Sequence, residues 1–257
     1  MSAAGVRAPF PVVLRHYFVG IFVNNFLPST VGGDVAKVYY LGREHGYRVV
    51  TASVAIDRLL GVGLLALLAA GALWTSPVVA PRLTAAAIAS TLIAAAALVL
   101  LTITSVGTGG LPERVTRLGA RAVAAAARLQ RLRLDMAAPL TSPAVIMKAA
   151  LVVVGYAVAV TLIYLRFTQI QGGDAPPPLA MFAVVTATTV LSNVPISLNG
   201  LGLREQLHAS LLAPLAVAPE VAVAISLLLY GHLLVASLVG LGFWLRAPIL
   251  TDVEEMS

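Results

Sequence analysis

Apolar residues are grouped along the chain in five long runs, at residues 49–74, 83–106, 145–165, 179–194 and 221–245. The stretches between them are rich in proline, glycine and charge. A helix needs about 20 apolar residues to cross a bilayer, and most of the five runs are long enough. The strict alternation that marks a strand of an outer-membrane barrel is absent. The pattern predicts an all-α, polytopic transmembrane helical bundle, one integral membrane domain over residues 1–257. A sixth run, 12–27, is shorter and carries Arg15 and His16; a tilted span, a truncated span and a re-entrant half are all compatible with it. Its charges lie inside the apolar stretch and no small-residue cleavage site follows, so it does not read as a signal peptide.

Composition strengthens this reading. Of 257 residues, 59% are hydrophobic and 11% charged, too apolar for a soluble globular chain. Cysteine is absent, which excludes disulfides, thiolate metal sites and cysteine nucleophiles. Neither a cofactor nor a metal is implied.

The formal charge of +6 is unevenly spread: six of the 17 basic residues lie between Arg114 and Arg133. By the positive-inside rule this loop is cytoplasmic. Counting spans from it puts Lys37, Arg43 and Arg48 on the same side and the 77–82 loop opposite. At about 100° per residue, Arg114, Arg117, Arg121, Arg128 and Arg131 share one face of a helix-compatible segment within residues 112–138. Such a face can rest on anionic headgroups of the inner leaflet; the plainer reading is that it fixes topology. Membrane lipids are thus the expected partners and nucleic acid is not.

Two polar breaks interrupt the apolar pattern in related ways. "NNFLPSTVGGDVAK" (residues 24–37) and "SNVPISLNGLGLRE" (residues 192–205) each run from asparagine through proline and two glycines to an acid and a base in close order. Pro28 and Pro195 cannot continue a helix ladder, and Gly32, Gly33, Gly200 and Gly202 tolerate the backbone angles of a break. Both segments read as broken or re-entrant helices, compatible with an inverted repeat. In a bilayer such breaks persist only against protein or a wet cavity, and transporters pair them around a central site. The freed helix N-termini suit a phosphate or carboxylate. Asn25, Pro28, Gly32, Gly33, Asp34, Lys37, Arg58, Pro195, Gly200, Gly202, Arg204 and Glu205 are therefore the candidate substrate-binding residues. For Asp34 and Glu205 a helix-capping role competes with a binding role, and snorkelling to the interface is the plainer account of Arg58 alone.

These elements, together with "AIDRLLG" (residues 55–61), resemble the membrane domain of the lysylphosphatidylglycerol synthase family, also described as flippase-like integral membrane proteins. They occur in family order and cover most of the chain. The resemblance implies a protein of the cytoplasmic membrane that moves or handles phospholipid or lipid-linked headgroups. It carries the family's Gly-Gly-Asp onto Gly32, Gly33 and Asp34, and its Pro and Gly-x-Gly-x-Arg-Glu element onto Pro195, Gly200, Gly202, Arg204 and Glu205. Lys37 stands where the family more often has arginine, which keeps the charge but loses the planar bidentate fork. Relatives usually have further spans before the first motif, so either the chain starts late or the fold is abridged. Some carry a soluble aminoacyltransferase domain after the membrane part, for which this sequence leaves no room, and synthase activity is not expected. No H-E-x-x-H, G-x-S-x-G or P-loop is present, and "GLGLRE" lacks the third glycine and the strand-helix setting of a dinucleotide site. His208 and His232 read as packed histidines rather than metal ligands. The alternative function is a membrane subunit of a lipid-modifying transferase, aminoacyl- or glycosyl-lipid, whose catalytic domain is on another chain. A separate transferase or a homo-oligomer would then be the protein partner.

Overall fold

The computed structural model describes residues 10–25, 32–106, 120–171, 176–193 and 202–246. All regular elements among them are helical: α1 (Phe10–Asn24), α2 (Gly32–His45), α3 (Tyr47–Thr75), α4 (Thr84–Val106), α5 (Ala120–Leu140), α6 (Pro143–Ile170), α7 (Pro178–Leu191), α8 (Leu203–Leu212), a short 3-10 turn (Ala213–Leu215) and α9 (Pro219–Arg246). Four segments are long and apolar enough to cross a membrane, namely Tyr47–Thr75, Thr84–Ser105, Pro143–Ile170 and Pro219–Leu245. The chain is an integral membrane protein.

The remaining apolar runs make short helices. The 12–27 run becomes the 15-residue α1 and the 179–194 run the 14-residue α7. At 1.5 Å per residue these are about 21–23 Å long, short of a hydrocarbon core of about 30 Å. Asn24 and Ser192 fall at or just past their ends, where the polar breaks begin. Each short helix is followed by another, α2 after α1 and α8 after α7, and each pair packs as a helical hairpin; residues 26–31 and 194–201 between them lie outside the described residues.

Opposite ends of the bundle hold the two hairpins. Gly46 alone separates α2 from α3, and at that end Arg48 pairs with Asp135 of α5 at 2.7 Å. The α8 end lies at the other face, where Arg82, between α3 and α4, donates to the carbonyl of Pro214 at 3.3 Å. The hairpins thus enter from opposite sides, as in an inverted repeat. Arg48 and the arginine-rich α5 share an end and the 77–82 loop lies at the other, as the charge pattern predicts.

α7 is the hub. Apolar around its whole circumference, it belongs in an interior, and Ala180, Met181, Ala183, Val184 and Ala187 are fully buried. Lipid tails are as apolar as these side chains, so close packing rather than water exclusion holds the hub. Its hydroxyls are satisfied locally: Thr186 donates to the Phe182 carbonyl at 2.7 Å and Thr188 to that of Val184 at 2.8 Å. By contrast, α6 turns a bare apolar face outward, with Met147, Leu151 and Val152 each at least 70% exposed, as a lipid-facing helix does.

Candidate functional site

Glycine sets the first hairpin. A Cβ on Gly33 would collide with the Gly20 carbonyl oxygen and the Asn24 side chain, so only glycine lets α2 lie this close to α1. Asn24 then accepts the Gly33 N–H with its side-chain oxygen. This satisfies one of the free donors in the first turn of α2 and ties the end of α1 to the start of α2. Further down the hairpin Lys37 packs over the Tyr17 ring, 5.0 Å from its centroid, a cation–π contact.

With Gly33 fixed, the next residue points inward. Asp34 accepts from Arg58 Nε through Oδ2 at 2.5 Å and from Lys37 Nζ through Oδ1 at 3.4 Å. Arg58 also donates through Nη1 to the side-chain oxygen of Asn193 at 3.3 Å, while the Asn193 amide nitrogen donates to the Thr189 carbonyl at 2.8 Å. A single guanidinium therefore links the acid of the first break to the amide that begins the second. Arg58 lies 11 residues into α3, roughly 16 Å along its axis, close to half the thickness of a hydrocarbon core. The start of α2 and the end of α7 meet on it, near half the length of the span.

Snorkelling does not describe Arg58. Nor does pairing with its neighbour Asp57, since adjacent helix residues do not face each other; its carboxylate partner is 24 residues away. A cavity of about 440 Å³ opens beside the cluster, lined among others by His16, Tyr17, Asn24, Asp34, Lys37 and Arg58. Asp57 lines the same cavity, so its two acids, Asp34 and Asp57, balance the two bases, Lys37 and Arg58, in a setting where charge is expensive and is kept paired.

At the second motif the chemistry turns inward. Gly202 has φ +79°, the left-handed region that glycine enters without a side-chain clash. Its N–H donates to Glu205 Oε2 at 2.6 Å, so Glu205 caps α8. Its other carboxylate oxygen is buried without a partner among the described residues. Arg204 is half-buried and no hydrogen bond or ion pair joins it or Glu205 to Asp34, Lys37 or Arg58 among the described residues. One turn on, His208 Nδ1 donates to the Arg204 carbonyl at 2.6 Å. That leaves Nε2 to accept from the Tyr164 hydroxyl, so His208 is a packed, hydrogen-bonded histidine. His232, in contrast, lies on an exposed face of α9.

Of the residues singled out from sequence, Gly33, Asp34, Lys37 and Arg58 come together, with Gly32 buried beside them and Asn25 at the end of α1. Gly202, Arg204 and Glu205 lie apart on α8. Pro28, Pro195 and Gly200 lie outside the described residues. Among the basic residues of the amphipathic segment, Arg128 and Arg131 are exposed on α5; Arg114 and Arg117 lie outside the described residues and Arg121 is described only in its backbone. Sequence reading missed Asn24, Tyr17 and Asn193 as partners of the cluster. The doubled asparagine and the Ser-Asn at the two run ends were the available signals.

A family model described as the lysylphosphatidylglycerol synthase TM region matches residues 1–246. No curated protein and no solved structure matches the chain.

Proposed function

Because this chain belongs to the lysylphosphatidylglycerol synthase transmembrane-region family, a family associated with lipid modification or handling, we propose that it moves phospholipid headgroups across the cytoplasmic membrane through the cavity at Arg58. The observation that carries this reading is the contact of one guanidinium with both hairpins. A phosphate reaching the cavity finds two cations, Lys37 and Arg58, beside two carboxylates, Asp34 and Asp57. By taking Arg58 from Asp34 it exchanges one anionic partner for another, so neither charge is left bare in a low-dielectric setting. Loosening that clasp frees the hairpins to shift, and because they enter from opposite sides, such a shift opens the site to one face or the other. The exposed Arg128 and Arg131 of α5 support attraction of anionic headgroups to the inner surface.

The test is movement of acyl-labelled phospholipids between leaflets of vesicles containing the purified protein, followed by chemical quenching of the outer leaflet. The parent should accelerate quenching of the inner pool, and Asp34→Asn and Arg58→Gln should abolish the acceleration while inserting normally. Equal rates for all three would sink the reading.

The family description, which names a synthase, favours a second reading: a membrane subunit whose transferase is a separate chain. It expects stable co-purification of a transferase and no lipid movement by the isolated protein.

A further inference from the structure

Beside the Arg58 cavity lies a second cleft, of about 360 Å³, between α3, the end of α5 and the first half of α6. Asp57 lines both, so the two spaces share one side chain as a wall. The second cleft is otherwise of a different kind. Leu60, Val152 and Val153 make it apolar, and Lys148 is the one base among its lining residues. Val152 is also 70% exposed on the bare outer face of α6, so the cleft opens onto the surface that meets lipid. Lys148 sits five residues into α6, roughly 8 Å from its start.

Asp57 and Lys148 are both exposed, and neither makes a hydrogen bond or ion pair with a described residue. Lys37 and Arg58 face Asp57 from the Arg58 cavity, whereas on the cleft side Lys148 is the base that accompanies it, so the cleft lining itself is neutral with one charge of each sign. A headgroup that carries both a phosphate and an ammonium matches both side chains of the cleft, whereas an anionic one matches Lys148 and sets a like charge against Asp57. We propose that this cleft takes up a zwitterionic phospholipid whose headgroup carries an amine, with its phosphate at Lys148, its ammonium at Asp57 and an acyl chain along Leu60, Val152 and Val153. Asp57 then presents the headgroup to the Arg58 cavity on its other side. This rests on the lipid-moving reading and adds to it a substrate class and a lateral route.

The experiment uses the full chain in phosphatidylcholine vesicles containing trace acyl-labelled phosphatidylethanolamine or acyl-labelled phosphatidylglycerol. The parent should move the ethanolamine lipid faster. Asp57→Asn should shrink that preference on the order of tenfold, because like-charge and unpaired-charge penalties set specificity more than affinity, and Asp57→Glu should retain it. Ala149→Trp, which fills the cleft, should slow both lipids. A preference unchanged in Asp57→Asn, or a faster glycerol lipid in the parent, overturns the proposal while leaving lipid movement standing. Movement of neither lipid by the parent overturns the proposal and the reading it rests on together.

Discussion

The two helical hairpins carry nearly the same string of residue types, asparagine, proline, paired glycines, acid and base, and use them differently. In the α1–α2 hairpin the acid is turned outward from its own helix: Asp34 holds Lys37 and reaches across to Arg58 on α3. In the α7–α8 hairpin the acid is turned back on its own backbone, Glu205 capping the Gly202 N–H. Among its described residues, that hairpin meets Arg58 through an amide, Asn193. An acid in the first turn of a helix has two uses, satisfying free N–H groups or meeting a cation elsewhere. At Gly33 the free N–H is already taken by Asn24, which releases Asp34; at Gly202 Glu205 itself takes it. The hairpins are alike in residue types and differ in where the acid is spent.

The strongest way to break this comparison is to remove the residue on which both hairpins meet. Arg58→Ala leaves Asp34 with only the longer Lys37 contact and strips Asn193 of its donor. Loss of one partner of a largely enclosed pair costs up to about 3–5 kcal/mol, reduced here because the Arg58 side chain is 39% exposed. Lipid movement should vanish and the thermal midpoint in detergent should fall; Arg58→Lys should recover stability more than movement, having lost the second donor that reaches Asn193. Gly33→Ala comes next. Its methyl group meets backbone in α1, so the hairpin must open, at about 1–3 kcal/mol, and differential scanning should report it. Glu205→Gln should cost about 0.5–2 kcal/mol as a weakened cap, lowering the midpoint more than the rate of lipid movement. An Asp34→Asn variant should show the reverse order. Smallest is Arg128→Gln with Arg131→Gln, worth about 1 kcal/mol per arginine at an anionic surface, read as weaker binding to phosphatidylglycerol vesicles.

The helical spans were legible in the sequence because they rest on local chemistry. Long apolar runs must be helices in lipid. The side on which Arg48 lies also followed from charge counting, and Asp135 at 2.7 Å agrees with it. The length of α1 was not legible, since an apolar run does not reveal that Asn24 will end it by binding Gly33. Nor was the partner of Arg58: the nearest acid in sequence is Asp57, and only the α2–α3 fold-back, which puts residue 34 opposite residue 58, brings up Asp34. The two motifs looked alike because residue types repeat, whereas their different use depends on which side chain first reaches the free N–H.

The central claim is that Asp34 and Arg58 act as one clasp on the lipid path. It is tested most directly by a double-mutant cycle on transbilayer movement, comparing the parent, Asp34→Asn, Arg58→Gln and the pair together in the same vesicles. The account predicts that each single change removes most of the movement and that the double variant is no slower than either, since a shared interaction is lost only once. Single variants that move lipid as the parent does, or a double variant slower by the product of the two single effects, would contradict it.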